Sequence, residues 1–328
     1  MKNRLIVFLI LLALAAGLTG CGAREGTAPQ TDPDGGAPND DATLRVMASF
    51  YPVYALAMCV AHDVPDLALT CMAQPQVGCP RAYQLSDWDA GLLGAQDVVV
   101  IAGRGFEPFQ TALTAQQDGP AVMILMSGLT LSGDGVVNDE STHWEGENPW
   151  LFMSPDGARD MIISLGTGLP SLDPDHAAQY AHNMDDALLR LDALEADMRA
   201  ATAACRGGKV AILHEGLRYF SDWLGLETCA TFPREPGTEQ VEADLEALFS
   251  ALDGSGARVV LIEKQAPQNL VEALQARGYA VARIDTLMTH APDGSARAYY
   301  DIMLGNAQAV AAAFAEDSPS DNETEADT

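Results

Sequence analysis

Val98-Val99-Val100-Ile101-Ala102 is an apolar run closed by Gly103. A run this short and this rich in β-branched residues is a strand with both faces covered, the habit of a parallel sheet. Similar strands are predicted at Leu44 to Ser49, Asp66 to Thr70 and Ala121 to Met126. Between them, Val53 to Ala61 and Trp88 to Gly94 read as helices.

The second half repeats the pattern. Strands are predicted at Lys209 to Leu213, Thr228 to Phe232, Val259 to Glu263 and Ala280 to Ile284. Helices fall at Leu217 to Leu224, Val241 to Leu252, Pro267 to Arg277 and Ala298 to Phe314. A long helix separates the halves. It is capped at Asp173-Pro174, a position that suits proline, and runs from about Asp175 to Cys205 with Tyr180, Met184, Leu188, Leu191 and Leu194 at helical spacing. Its length would exceed roughly 40 Å. The expected fold is therefore α/β: a lobe over 43–170, an interlobe helix over 171–206 and a second lobe over 207–315. Sheets of this kind bind ligands outside the carboxyl ends of their strands, which places a cleft between the lobes.

Both ends read differently. Lys2 and Arg4 precede an apolar stretch from Leu5 to Leu18, and Leu18-Thr19-Gly20-Cys21 closes it. Residues 1–20 are expected to be a lipoprotein signal peptide, with Cys21 the lipidated first residue of the mature protein. The other readings are a plain anchor or a cleaved secretory signal. Residues 21–42 are rich in Gly, Pro and Asp and read as a flexible tether; 316–328 read as a disordered acidic tail. These readings place a soluble, monomeric body on the extracytoplasmic face of the cell membrane.

With 18 basic against 46 acidic residues the net charge is −28. That argues against nucleic acid, whose affinity depends on basic side chains neutralising phosphate. It equally disfavours electrostatic adhesion to anionic lipid. Five cysteines remain after Cys21, so at least one thiol has no partner. Cys205 with Cys229 is the expected disulfide, and Cys71 with Cys79 a second candidate. No GxSxG, HExxH or Walker motif appears, so no enzyme is expected.

Four segments lie at strand ends: Gly78 to Leu85, Asn148 to Pro155, His214-Glu215-Gly216, and Asp285. Their order and wording resemble the metal-binding solute receptors of ABC importers that carry zinc or manganese. Ser49-Phe50-Tyr51-Pro52-Val53-Tyr54 resembles that family's first strand-to-helix turn. Tyr83-Gln84-Leu85 through Asp89, with Gly103-Arg104-Gly105-Phe106-Glu107-Pro108-Phe109, is similar to its first metal loop and following strand. His214-Glu215 with Tyr219-Phe220 is similar to its third ligand segment. Glu235 to Glu239, Ile262-Glu263-Lys264-Gln265 and Ile284-Asp285-Thr286-Leu287 extend the likeness over residues 44 to 315.

The resemblance implies a rigid two-lobe receptor that hands its ion to an ABC permease. It implies a cleft in which three histidines, one sometimes Glu, and one carboxylate hold the ion. His214 takes the third ligand position and Asp285 the fourth. Arg81 falls on the first and Trp150 on the second, and neither side chain offers a lone pair to a metal. His143, Glu215 or Cys79 could replace the missing donors, against bland readings as a loop histidine, a strand-end carboxylate and a disulfide. His290 borders the cleft as an outside candidate. Zinc is the expected cargo, ahead of manganese. The alternative is a converted cleft in which Arg81 meets a carboxylate and Trp150 walls a small organic ligand or faces a surface partner.

Overall fold

The computed structural model describes residues 44–75, 80–129, 148–232 and 242–317. The N-terminal lobe runs β1 (Leu44–Ala48), α1 (Tyr51–Ala61), β2 (Leu67–Cys71), α2 (Asp87–Gly94), β3 (Val98–Ile101), α3 (Gln110–Thr114) and β4 (Ala121–Ile124). Helices α4 (Pro155–Leu172) and α5 (Ala177–Ala201) follow. The C-terminal lobe runs β5 (Lys209–Ile212), α6 (Arg218–Trp223), β6 (Glu227–Thr231), α7 (Glu242–Ser255), β7 (Val259–Glu263), α8 (Gln268–Ala276), β8 (Ala280–Ile284) and α9 (Ala298–Asp317). Among these residues no helix is long and apolar enough to cross a membrane.

Each lobe holds a four-stranded parallel sheet, ordered β2-β1-β3-β4 in one and β6-β5-β7-β8 in the other. The two orders are the same topology. In each, the first strand lies inside the sheet and its successors pair on opposite sides of it, which creates a switch point where a crevice opens. Both faces of the C-terminal sheet are covered. Val210, Ile212, Val259 and Leu261 point into a core shared with α5 and α9. Ala211, Leu213, Val260 and Ile262 alternate to the other side and pack beneath α7 and α8.

The shared core is continuous from Val46 in β1 to Val310 and Ala313 in α9, so one apolar body joins the lobes. Helix α5 runs through it, burying Tyr180, Asn183, Ala187, Leu191, Leu194 and Met198 along one stripe. At 25 residues it is shorter than expected, about 37 Å. Both ends wind as tight turns, Pro174–His176 and Ala203–Cys205. At the first, Asp173 accepts hydrogen bonds from His176 Nδ1 (2.9 Å) and Tyr180 Oη (2.8 Å). Asn183 and Ala187, rather than Met184 and Leu188, lie deepest. Asn183 is tolerated there because its Nδ2 donates to the carbonyls of Val60 (2.9 Å) and His62 (2.8 Å) at the end of α1.

The expected Cys205–Cys229 disulfide is absent; both thiols are free, as are those of Cys59 and Cys71. Cys205 lies in the shared core and Cys229 packs against the cluster on the opposite face of the sheet. Cys79, Cys21 and the 1–20 signal lie outside the described residues, as do 21–42 and 318–328 of the terminal segments.

Replacing Asn183 with alanine leaves two buried carbonyls without a donor. Urea unfolding is expected to show a loss of about 2 kcal/mol; an unchanged midpoint and slope would contradict this role in joining α1 to α5.

Candidate functional site

The carboxyl ends of β5, β7 and β8 place His214, Lys264 and Asp285 along one edge of the C-terminal sheet. His214 and Lys264 follow the two strands that flank the switch point.

His214 is fully enclosed. Its backbone is extended, and its Nδ1 accepts the Gly216 N–H at 3.0 Å. The neutral ring therefore carries its proton on Nε2. Burial, followed by the charge of the Arg81 guanidinium, pushes its pKa down from 6.5 to about 3. Trp150 meets the ring edge-on at 4.8 Å between centroids. Position 216 must be glycine here: a Cβ would lie 2.6 Å from the Trp150 ring and 2.7 Å from His214 Nδ1.

Trp150 is part of a buried aromatic cluster with Phe106 (5.2 Å) and Phe152 (5.6 Å). Its buried Nε1–H has no hydrogen-bond partner among the described residues. Asn148 fixes this segment. Its Nδ2 donates to the Glu215 carbonyl at 2.9 Å, and its Oδ1 accepts the Trp150 N–H at 3.1 Å. Tyr219 Oη then donates to the Asn148 carbonyl at 3.2 Å. The bonds to Glu215 and from Tyr219 run between the lobes. Glu215 itself is buried in the turn Glu215–Leu217.

Arg81 sits half-buried in the turn Pro80–Ala82. The loop behind it is held by a reciprocal cap at the start of α2. Ser86 Oγ accepts the Asp89 N–H (3.2 Å), and Asp89 accepts the Ser86 N–H (2.9 Å) and the Tyr83 hydroxyl (3.0 Å). Behind β3, the buried Glu107 accepts from Ser49 Oγ (2.6 Å) and from the N–H groups of Ala102 (2.9 Å) and Gly103 (2.8 Å). That clamp ties the ends of β1 and β3 together.

Asp285 is held on every side. Asn306 accepts its N–H and donates to its carbonyl, both at 2.8 Å. Oδ1 accepts the Leu287 N–H at 2.9 Å. Oδ2 accepts from Lys264 Nζ at 2.9 Å and His290 Nε2 at 2.8 Å. Burial raises its pKa, but the bonds from His290 and Lys264 outweigh that and hold it at about 2. His290 in turn stacks on Tyr51 of α1 at 5.1 Å, so the network reaches the other lobe.

The structure thus brings Trp150 and the Arg81 charge to His214 beside Glu215, and His290 to Asp285. His143 and Cys79 lie outside the described residues. Among the described residues no three His, Cys, Asp or Glu side chains converge to hold a metal. Lys264, the group that meets Asp285, stood in the sequence as the residue after a strand end, within a family-like segment that assigned it no role. Asn148 and Asn306 carry no sequence signal of their role.

The model of one protein family, described as the periplasmic zinc-uptake complex component A, matches residues 46–313. The high-affinity zinc uptake system protein ZnuA of Paracoccus denitrificans is 25% identical over 169 residues, 51% of each chain. This chain therefore spans about half the length of that relative. The zinc-binding lipoprotein AdcA of Streptococcus pneumoniae is 22% identical over 243 residues, 71% of this chain and 48% of its own. The structure of the SBP FpvC of Pseudomonas aeruginosa with Mn2+ superposes with a TM-score of 0.70 at 23% identity, covering 84% of this chain and 99% of that one. That likeness establishes the shared two-lobe fold.

Between its unfolded value of 6.5 and its folded value of about 3, His214 binds a proton only when the chain unfolds. Stability at this position is present above that window and is lost as pH falls through it. The melting temperature of His214→Gln should fall less than the parent's between pH 6.5 and about 4; parallel curves would contradict a desolvated neutral imidazole.

Proposed function

The chain belongs to the family of the periplasmic zinc-uptake complex component A, and on that premise we propose that it is the extracytoplasmic solute-binding component of an ABC importer. Its cargo is a divalent metal ion, zinc ahead of manganese, captured in the interlobe cleft and delivered to a membrane permease. A lipid on Cys21 holds the body at the cell membrane. The observation that carries this reading is the family match through both lobes, with His214 and Asp285 at the ends of β5 and β8.

The protonation states favour it. His214 is neutral and Asp285 ionised at pH 7, so neither ligand must lose a proton to the solvent on binding. Ligation through Nδ1 of His214 displaces the Gly216 N–H. Ligation through Nε2 moves the ring proton to face that same N–H. Either route sacrifices one hydrogen bond, about 1 kcal/mol, which is small against the roughly 10–16 kcal/mol of a well-formed zinc site. Glu215 and His143 supply the remaining donors in this account. A nitrogen and carboxylate set suits zinc, and zinc also precedes manganese in the general order of divalent affinities.

A second reading is favoured by a specific observation. Arg81 brings a fixed charge to His214, and the imidazole presents an N–H rather than a lone pair at Nε2. A cleft of this kind suits a small organic solute, with Trp150 buried behind the imidazole.

Calorimetry on the full-length chain separates the two. One-to-one zinc binding, tighter than manganese and abolished in His214→Ala/Asp285→Ala, is the expected result. No zinc heat, or heat indifferent to the double substitution, would overturn the metal reading.

A further inference from the structure

We propose that Lys264 sets cargo affinity by competing with the metal ion for Oδ2 of Asp285; this rests on the metal reading above. Asp285 cannot turn away from its neighbours. Asn306 grips its backbone through two hydrogen bonds of 2.8 Å, and the Leu287 N–H fixes Oδ1 at 2.9 Å. Oδ2 is the oxygen left for the cleft, and it already accepts from Lys264 and His290. An arriving ion meets an occupied carboxylate.

The two donors differ in how readily they leave. His290 is stacked on Tyr51 of the other lobe, and its side chain is 29% exposed. The Lys264 side chain is 55% exposed, against 12% for Asp285. Its ammonium can retreat into water on a flexible stem, where it is strongly hydrated. Its backbone stays behind, tied by its N–H to the Ile284 carbonyl at 2.8 Å. Lys264 is thus a built-in monovalent cation on a short tether. A doubly charged ion outbids it for the carboxylate, whereas a singly charged ion gains little from the exchange. The residue lowers affinity for every cation and favours divalent over monovalent ones.

Zinc titrations of the full-length chain, Lys264→Met and Lys264→Arg test this. Lys264→Met should bind zinc several-fold to about tenfold more tightly, the scale of a partly exposed ion pair, and Lys264→Arg should stay near the parent. Amine-reactive labelling read by mass spectrometry gives a second readout, with Lys209 as internal standard. Zinc should accelerate labelling of Lys264 relative to Lys209 as the ammonium is released. Equal zinc affinity in the parent and Lys264→Met, or labelling indifferent to zinc, overturns the inference and leaves the metal reading standing. Zinc taken up by neither protein overturns both. A parent that binds no zinc beside a Lys264→Met that does would support the competition in its strongest form.

Discussion

One apolar core runs without a break from the N-terminal sheet, along α5, to the C-terminal sheet and α9. Everything at the cleft depends on that continuity. A 25-residue helix buried along one stripe joins the lobes and is tied to α1 through Asn183. Tyr299 and Tyr300 extend the join, donating to the Phe152 carbonyl at 2.8 Å and the Ala187 carbonyl at 3.1 Å. Opening the lobes as rigid bodies would break buried apolar contacts and these hydrogen bonds together. Relative motion is therefore left to side chains and loops at the strand ends.

Those loops are held by polar clamps as well as by apolar contact. Glu107 ties β1 to β3, Asn148 ties the Trp150 segment to Glu215, and Asn306 grips Asp285. Each spends its hydrogen-bonding capacity on backbone groups or on one neighbouring side chain. The functional side chains therefore stand in fixed positions while the sheets remain ordinary. His214 and Asp285 are perturbed in opposite senses by their surroundings. Enclosure keeps the imidazole neutral, and donated hydrogen bonds keep the carboxylate charged.

The strands were readable because a buried parallel sheet leaves a plain apolar run. Val259–Glu263 and Ala280–Ile284 match their predicted limits. Helix ends were read less well, since capping turns such as Asp173 with His176 and Tyr180 depend on contacts several residues away. Asn183 escaped notice because a polar residue on an apolar stripe is recognisable as buried only once the carbonyls it serves are known. The disulfide expectation failed for a comparable reason: Cys205 and Cys229 are near in sequence but face opposite sides of β5 and β6. At the site, His214 and Asp285 were legible from their strand-end positions and the family likeness. The hold of Lys264 and His290 on Asp285 was not, because it arises from the pairing of β7 with β8 and a loop that returns towards α1.

In the proposed metal site a divalent ion would draw on His214 and Asp285 together, and anomalous scattering from zinc-soaked crystals of the chain reads that directly. The account predicts one strong zinc peak at roughly 2.0–2.2 Å from a ring nitrogen of His214 and from a carboxylate oxygen of Asp285. A peak bound elsewhere, or a cleft with no zinc while His214 keeps its bond to Gly216, would contradict it.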